Sequence, residues 1–362
     1  MILLSSVIDT FKNEFLDQYA NRLLPSHYKA LNSMQACRTD ESLLMKLSCE
    51  DCFHQLLLPH ACGHRNCPHC QHQDSQQWLD RQLQKKVPAD YFMVTFTLPA
   101  EFRPLAWANQ RQVYASLIQC AWQTLKQFAE NDKQLQGIPG AIAVLHTHAR
   151  NLDFHPHGHF VIPAAAIHRE QRIWRTKSPN GKKVYLFDHR ALAKVFRAKL
   201  LNGLTNAGLT LPKKYPKKWV VDCKHVGSGE PALIYLGRYL YRGVIQEKDI
   251  VACKDNKVTY RWQDSGSGEM CYKTVDGIEF LWKLLQHVLP KRFRRARNFG
   301  FLHPNSTLLT INIIRLINFD FRKVAPQEND EKYIDCPCCR GRMLFIQFNI
   351  QRSDYRKQPA LL

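Results

Sequence analysis

Two Cys-x-x-Cys pairs lie in the first seventy residues of the sequence, at Cys49/Cys52 and Cys67/Cys70. Each pair places two thiolates on one tight turn, and two such turns supply the four ligands that tetrahedral Zn²⁺ prefers. Cysteines that only fill a hydrophobic core seldom repeat this spacing. The pattern therefore predicts one structural zinc site formed by all four of these cysteines.

Further cysteines and histidines extend the pattern on both sides. The additional candidate zinc ligands are Cys37, Cys62, His64, Cys336 and Cys339. The spacing of the first three fits no single template, so a second amino-terminal site is left open. The tail offers only one turn, around Cys338. That turn is either half of a second ribbon, completed by a residue such as His303, or a set of reactive thiols.

A histidine-rich segment at residues 155–159 reads His-Pro-His-Gly-His and runs into an apolar strand. Side chains alternate along a strand, so His157 and His159 share one face. Two imidazoles fixed on a sheet can bind a divalent cation and leave positions open for substrate oxygens. The candidates for a third ligand are, in this order, His155, His148 and Asp153. The alternative is a group of solvated surface histidines.

A tyrosine pair lies on a predicted helix that begins at Pro231. Tyr235 and Tyr239 are four residues apart and so lie on the same helix face. Arg238 and Arg242 are interleaved with them, and guanidinium groups match the geometry of phosphate. Taken alone, a tyrosine stripe is more often part of a core. A metal site elsewhere in the chain favours the reading as phenolic nucleophiles.

The charge balance indicates a polyanionic partner. The 362 residues include 51 Lys and Arg against 31 Asp and Glu, a formal net charge of +20. Such an excess favours nucleic acid over other partners, although a charged face can also be merely solvated. The densest cluster, which we expect to contact DNA phosphates, comprises Lys291, Arg292, Arg294, Arg295 and Arg297.

Apolar periodicity predicts an α+β fold with a central antiparallel sheet, flanking helices and small zinc-ribbon-like modules. We expect three domains: a zinc-binding DNA-contact domain at 1–85, a catalytic domain at 86–290, and a basic, cysteine-containing tail at 291–362. The first residues do not read as a signal peptide, and no apolar run approaches the ~18 residues of a membrane span. These features predict a soluble, cytoplasmic protein with no membrane partner.

The order of these motifs resembles the rolling-circle transposases of the insertion sequence 91 family, which belong to the His-hydrophobe-His, two-tyrosine endonucleases. The resemblance covers most of the chain, from about Cys37 to the last cysteines, with Gly158 in place of the central hydrophobe. It implies that Tyr235 and Tyr239 are the nucleophiles and that the histidines hold Mg²⁺ or Mn²⁺. It also implies a bacterial enzyme that associates with the nucleoid when it binds DNA.

The implied reaction is cleavage and rejoining of single-stranded DNA at element ends and target through a 5′-phosphotyrosine. Three alternatives stay open, and they differ in whether they keep this chemistry. A plasmid relaxase or replication initiator would use the same residues, whereas a non-catalytic zinc protein would bind nucleic acid without a covalent adduct. A transposase copy that has lost activity is a third. The sequence leaves the oligomeric state open.

Overall fold

The computed structural model describes residues 2–70, 72–168, 170–177, 185–241, 243–264, 266–308 and 334–351, without the side chains of residues 72–74, 239 and 241. Arg242, predicted to contact DNA, therefore lies outside the described residues. The helices are α1 (Leu4–Tyr19), α2 (Pro25–Ala36), α3 (His72–Leu83), α4 (Arg103–Ala108), α5 (Gln110–Asn131), α6 (His189–Asn206), α7 (Glu230–Tyr241) and α8 (Gly277–Leu285).

The described strands range from two residues in β13 to eleven in β4. They are β1 (Leu44–Cys49), β2 (Gln55–Pro59), β3 (Tyr91–Thr97), β4 (Ile138–His148), β5 (Phe154–Pro163), β6 (Ala165–Ile167), β7 (Trp174–Thr176), β8 (Val221–His225), β9 (Ile250–Lys254), β10 (Lys257–Gln263), β11 (Met270–Asp276), β12 (Ala296–Gly300), β13 (Ile334–Asp335) and β14 (Arg342–Ile350). None of the described helices has both the length and the apolar character needed to span a bilayer.

The chain forms two compact units, each assembled from separated segments. The terminal unit comprises Met1–His72, Tyr241–Val288 and Pro326–Leu362, and the sheet unit comprises Gln73–Leu240 and Leu289–Ala325. The predicted division of the sequence into domains 1–85, 86–290 and 291–362 stays a prediction.

The terminal unit combines helices with two small antiparallel sheets. One sheet has the order β13-β14-β1-β2 and the other β11-β10-β9. Helix α8 begins after Asp276, whose carboxylate accepts the N–H of Ile278 at 2.9 Å as an N-cap. Helix α1 packs against α8, and the rings of Tyr19 and Trp282 stack with centroids 4.6 Å apart. The unit thus joins both ends of the described chain.

The sheet unit is built on an antiparallel sheet of order β7-β6-β4-β5-β3-β8, with β12 along β4. This arrangement confirms the predicted α+β class with a central antiparallel sheet and flanking helices. Helices α5 and α6 cover one face, where Phe96, Phe160 and Phe196 pack ring against ring with centroids 4.8–5.6 Å apart. The residues that alternate with this apolar set point to the opposite face.

The central glycine of the histidine segment lies where α5 packs on β5. A Cβ atom at Gly158 would lie 3.0 Å from Cδ1 of Ile118 and 3.3 Å from Cε2 of Phe160. The first distance is well inside ordinary van der Waals separation. The side chain of Ile118 therefore occupies the space that a hydrophobic residue at 158 would need, and the helix can approach the sheet closely.

We predict that Gly158→Val destabilises the protein by about 1–3 kcal/mol through overpacking against Ile118. Urea unfolding without added Mg²⁺ or Mn²⁺ measures the free energy of unfolding. Ile118→Ala alone opens a cavity, but combined with Gly158→Val it makes room for the new side chain. The double variant should therefore lose less stability than the two single changes added together. Wild-type stability in Gly158→Val would contradict this packing argument.

Candidate functional site

Three histidines converge on the face of the sheet opposite to α5 and α6. His146 on β4 and His159 on β5 are buried and His157 on β5 is half-buried, and one ring nitrogen from each lies within 4.8 Å of the other two. The register produces this arrangement, because His146 is directly opposite His157 across the β4–β5 pair. Opposite residues of an antiparallel pair point to the same face.

Hydrogen bonds fix the orientation of two of these rings. Nδ1 of His157 donates to the carbonyl oxygen of His155 at 2.6 Å, and Nδ1 of His159 is 2.9 Å from Oγ1 of Thr95. These bonds leave Nε2 of each ring to face the group, the usual outer-shell arrangement of metal-binding histidines. Burial lowers the pKa of His157 to about 4 and that of His159 to about 3, so both rings are neutral at pH 7. Neutral imidazoles in this arrangement fit a divalent cation.

The third member of the group differs from the prediction. His146 completes it, and the structure does not bring His155, His148 or Asp153 into it. His155 instead has its Nδ1 2.9 Å from Nη2 of Arg103. The sequence signal for His146 is its position immediately after the apolar run at 141–145, which reads Ala-Ile-Ala-Val-Leu. Its role depends on the β4–β5 register, which the sequence alone did not give.

Tyr235 of α7 lies beside the histidine group. Its ring centroid is 6.1 Å from that of His159 and 6.4 Å from that of His146, and 36% of its surface is exposed. Burial raises the pKa of the Tyr235 phenol, and the charge of Arg150 acts in the opposite direction. Tyr239 follows one helical turn later on α7; its side chain lies outside the described part of the structure.

Arg295 connects the tyrosine helix to the histidine strand. Its Nη1 donates to the carbonyl oxygen of Leu240, near the end of α7, at 3.1 Å, and its Nε donates to that of Leu145 at 3.1 Å. Leu145 immediately precedes His146. From the other side, Oγ of Ser75 on α3 donates to the carbonyl oxygen of Gly237 at 3.0 Å. Arg295 thus joins the end of α7 to β4 through two backbone carbonyl groups, and its contact with DNA stays a prediction.

The cysteines of the terminal unit form two groups that differ from the predicted pairing. One group contains Cys37, Cys62, Cys67 and Cys70; the other contains Cys49, Cys52, Cys336 and Cys339. The structure therefore does not bring the pairs Cys49/Cys52 and Cys67/Cys70 into the single group that their spacing predicts, because each pair lies with other cysteines. His64 is in neither group: its backbone N–H donates to Sγ of Cys62 at 3.4 Å.

The basic residues predicted to contact DNA differ in their surroundings. Four are exposed, namely Arg238, Lys291, Arg292 and Arg294. Arg297 is half-buried on β12, and its guanidinium carbon lies 5.2 Å from the ring centroid of Phe293. The four exposed residues belong to the sheet unit, which also contains the histidine group, and their positive charges face solvent.

Comparison with known proteins gives two family matches. A model described as "Transposase zinc-binding domain" matches residues 7–98, and one described as "Putative transposase" matches residues 140–307. The first match and the two cysteine groups together support Zn²⁺ binding by the terminal unit.

Individual relatives give the same result. "Putative transposase y4qJ" of Sinorhizobium fredii (strain NBRC 101917 / NGR234) is 31% identical over 356 residues, which cover 88% of each protein. "Transposase for insertion sequence element IS801" of Pseudomonas savastanoi pv. phaseolicola is 28% identical over 296 residues, covering 76% of this chain and 70% of that protein. Among solved structures, a metal-bound "Conjugative Relaxase Trwc In Complex With Orit DNA" is 22% identical, with a TM-score of 0.29, and covers 37% of this chain and 49% of that one.

The match to the Sinorhizobium fredii protein extends over nearly the whole of both sequences. Together with the two family models, it shows that this chain belongs to the insertion sequence 91 family of transposases, enzymes that cut and rejoin DNA strands, and that it has an amino-terminal zinc-binding domain.

Proposed function

We propose that this transposase cleaves and rejoins single-stranded DNA at element ends by attack of Tyr235 on a phosphate held at the histidine group. The observation that carries the proposal is the 6.1 Å separation between the ring centroids of Tyr235 and His159. A part-exposed phenol and three convergent imidazoles on one sheet face are the components that metal-assisted transesterification needs.

The histidine group has the donor set for a catalytic cation. His146, His157 and His159 would hold Mg²⁺ or Mn²⁺, and as three ligands they leave coordination positions for phosphate oxygens. When bound, such a cation polarises the phosphoryl group and neutralises charge that develops in the transition state. Burial keeps the imidazoles neutral and so available as ligands, while the bonds to His155 and Thr95 fix the ring orientations.

The phenol of Tyr235 is the nucleophile in the strand-cleavage step. Oη of Tyr235 attacks phosphorus and loses its proton, the bond from phosphorus to the 3′ oxygen breaks, and that oxygen gains a proton to become a 3′-hydroxyl. The product is a 5′-phosphotyrosine, which conserves the energy of the phosphodiester, so rejoining by the reverse attack needs no nucleotide cofactor. The positive charge of Arg150 favours the phenolate, opposing the effect of burial.

A second nucleophile suits a reaction with two strand breaks. Tyr239 is one helical turn from Tyr235 on α7, and residues four apart lie on the same helix face. One tyrosine holds the first 5′ end while the other cleaves the next strand. The freed 3′-hydroxyl then attacks the remaining phosphotyrosine and completes strand transfer.

DNA binding is assigned to the exposed basic residues of the sheet unit. Arg238, Lys291, Arg292 and Arg294 offer four positive charges to phosphate oxygens. With a net charge of +20, the whole chain is attracted to polyanions, so we expect salt-dependent binding and association with the bacterial nucleoid.

We predict a covalent adduct between the protein and single-stranded DNA that carries an element end, formed in the presence of Mn²⁺ and stable on a denaturing gel. Tyr235→Phe should reduce the adduct strongly and Tyr235→Phe with Tyr239→Phe should abolish it, because both phenol oxygens are then absent. Tyr272→Phe is the matched control, since Tyr272 is 60% exposed on β11 in the terminal unit. An adduct formed by the double variant would refute the assignment of nucleophiles. DNA binding without any wild-type adduct would favour the non-catalytic zinc protein.

Mn²⁺ binding tests the ligand set independently of catalysis. We predict that His146→Ala and His157→Ala each lower Mn²⁺ affinity by roughly 10- to 100-fold or more. Loss of a residue that only orients a metal ligand already costs this much, and these changes remove a ligand itself. His148→Ala should leave the affinity within about twofold, because His148 is on the same strand but outside the group. Electron paramagnetic resonance of free Mn²⁺ measures binding, and the all-cysteine groups do not compete because thiolates prefer softer metals. Equal losses in His146→Ala and His148→Ala would contradict the proposed site.

Arg295→Gln tests whether the link between α7 and β4 positions the nucleophile. We predict that adduct formation at saturating DNA slows by about tenfold or more, because small displacements of a reacting group are costly. The dissociation constant for single-stranded DNA should change little. The neighbouring change Arg294→Gln should show the reverse pattern, with weaker binding and an unchanged rate. If Arg295→Gln weakens only binding, Arg295 contacts DNA and does not position the helix.

A further inference from the structure

Two Cys-x-x-Cys turns from opposite ends of the sequence meet in the terminal unit. Cys49 is the last residue of β1 and Cys52 lies just after it, whereas Cys336 and Cys339 follow β13. The four sulfur atoms all lie within 4.8 Å of one another, with 3.4 Å between Cys49 and Cys339 and 3.6 Å between Cys52 and Cys336. The matched zinc-binding family model ends at residue 98 and so includes only the first turn.

The two turns share two backbone features. In each, the N–H of the first cysteine donates to the carbonyl oxygen five residues later, at 2.9 Å for Cys49 and 2.8 Å for Cys336. In each, the residue after the second cysteine has a positive φ, 59° at Phe53 and 64° at Arg340. Two unrelated loops would not be expected to repeat this geometry. A paired turn that offers two sulfurs to one point is the arrangement of zinc ribbons.

Backbone N–H groups point at the sulfurs of the second turn. The N–H of Cys338 is 3.4 Å from Sγ of Cys336, and that of Gly341 is 3.4 Å from Sγ of Cys339, measured from the nitrogen. These N–H groups fix the orientation of the two sulfur atoms, as hydrogen bonds around a metal site orient its ligands. Cys338 lies within the same turn but is outside the group of four.

Among the described residues, the sheet around these turns has a small hydrophobic cluster, with four half-buried apolar side chains packed against it. Strand β14 pairs with β13 on one side and with β1 on the other, and Met343 is opposite both Ile334 and Cys49. The hydrophobic cluster at this point contains four buried residues, of which two are cysteines of the group: Leu47, Cys49, Cys336 and Met343. A core of this size does not stabilise a small module without a metal or another cross-link.

We infer that Cys49, Cys52, Cys336 and Cys339 bind one Zn²⁺ and form a zinc ribbon whose two halves come from the two ends of the chain. Four thiolate ligands make a closed tetrahedral site, which is structural and not catalytic. The tail is thereby an obligatory part of the zinc-binding module. This inference does not rest on the proposed tyrosine chemistry.

Cysteine protection in the unaltered protein tests the site directly. Zinc-loaded full-length protein is treated with N-ethylmaleimide under native conditions, digested and analysed by mass spectrometry. We expect rapid alkylation of Cys338, which serves as the internal control, and slow alkylation of the four ligands. A zinc chelator should expose those four together. Alkylation of Cys336 and Cys339 at the rate of Cys338 would overturn the inference, as would disulfide bonds among the four in freshly purified protein.

Zinc content then tests whether the two turns share one ion. We expect two Zn²⁺ per wild-type chain, one for each all-cysteine group. Cys336→Ser with Cys339→Ser should leave one, and adding Cys49→Ser and Cys52→Ser to these changes should remove no more. Cys338→Ser should retain both ions. Two ions in the Cys336→Ser, Cys339→Ser protein, or a further loss in the fourfold variant, would overturn the shared site.

Discussion

The antiparallel register between β4 and β5 is the constraint on which the candidate site depends. Because His146 is opposite His157, and His159 is opposite Thr95 on the next strand, the three imidazoles and the hydroxyl that orients one of them share a single face. A shift of one residue in this register would send His146 to the helix-covered face. Every residue of β4 after Ile138 is buried, and so are seven of the ten residues of β5, so the register is strongly specified by the core.

The same strands supply packing residues to one face of the sheet and the histidine group to the other. On one face, Ile118 of α5 takes the space beside Gly158, which keeps the helix close. On the other face, the flanking residues His157 and His159 carry the imidazoles that we propose as metal ligands. Arg295 then joins β4 to the end of α7, so the phenol of Tyr235 is held relative to the ligands by regular elements. Sites built on strands and helices are held more accurately than sites on loops.

Local patterns in the sequence were sufficient for part of this site. Alternation along a strand placed His157 and His159 on one face, and helical spacing put Tyr235 on a helix that begins near Pro231, which the structure bears out as α7. The α+β class followed from apolar periodicity. These features depend on residues within a few positions of one another, where backbone geometry alone decides which side chains share a face.

Features that depend on long-range pairing could not be read from spacing. His146 joins the metal group through strand register, and Cys49 and Cys52 meet Cys336 and Cys339 across most of the chain length. The pairs Cys49/Cys52 and Cys67/Cys70 are close in sequence, which suggested one shared site. In the structure, each pair instead lies beside other cysteines. The hydrogen bonds of Arg295 could not be predicted either. The basic segment 291–297 does not show which backbone carbonyl groups each guanidinium will contact.

The most direct test of the central claim is to identify the residue that becomes bonded to DNA in the wild-type protein. The covalent complex formed with single-stranded DNA is treated with nuclease and protease, and the modified peptide is sequenced by tandem mass spectrometry. We predict a nucleotide attached through a 5′ phosphate to the tyrosine at position 235 or 239, with the 3′ end of the other fragment free. A nucleotide on any other residue, or attachment through a 3′ phosphate, would contradict it.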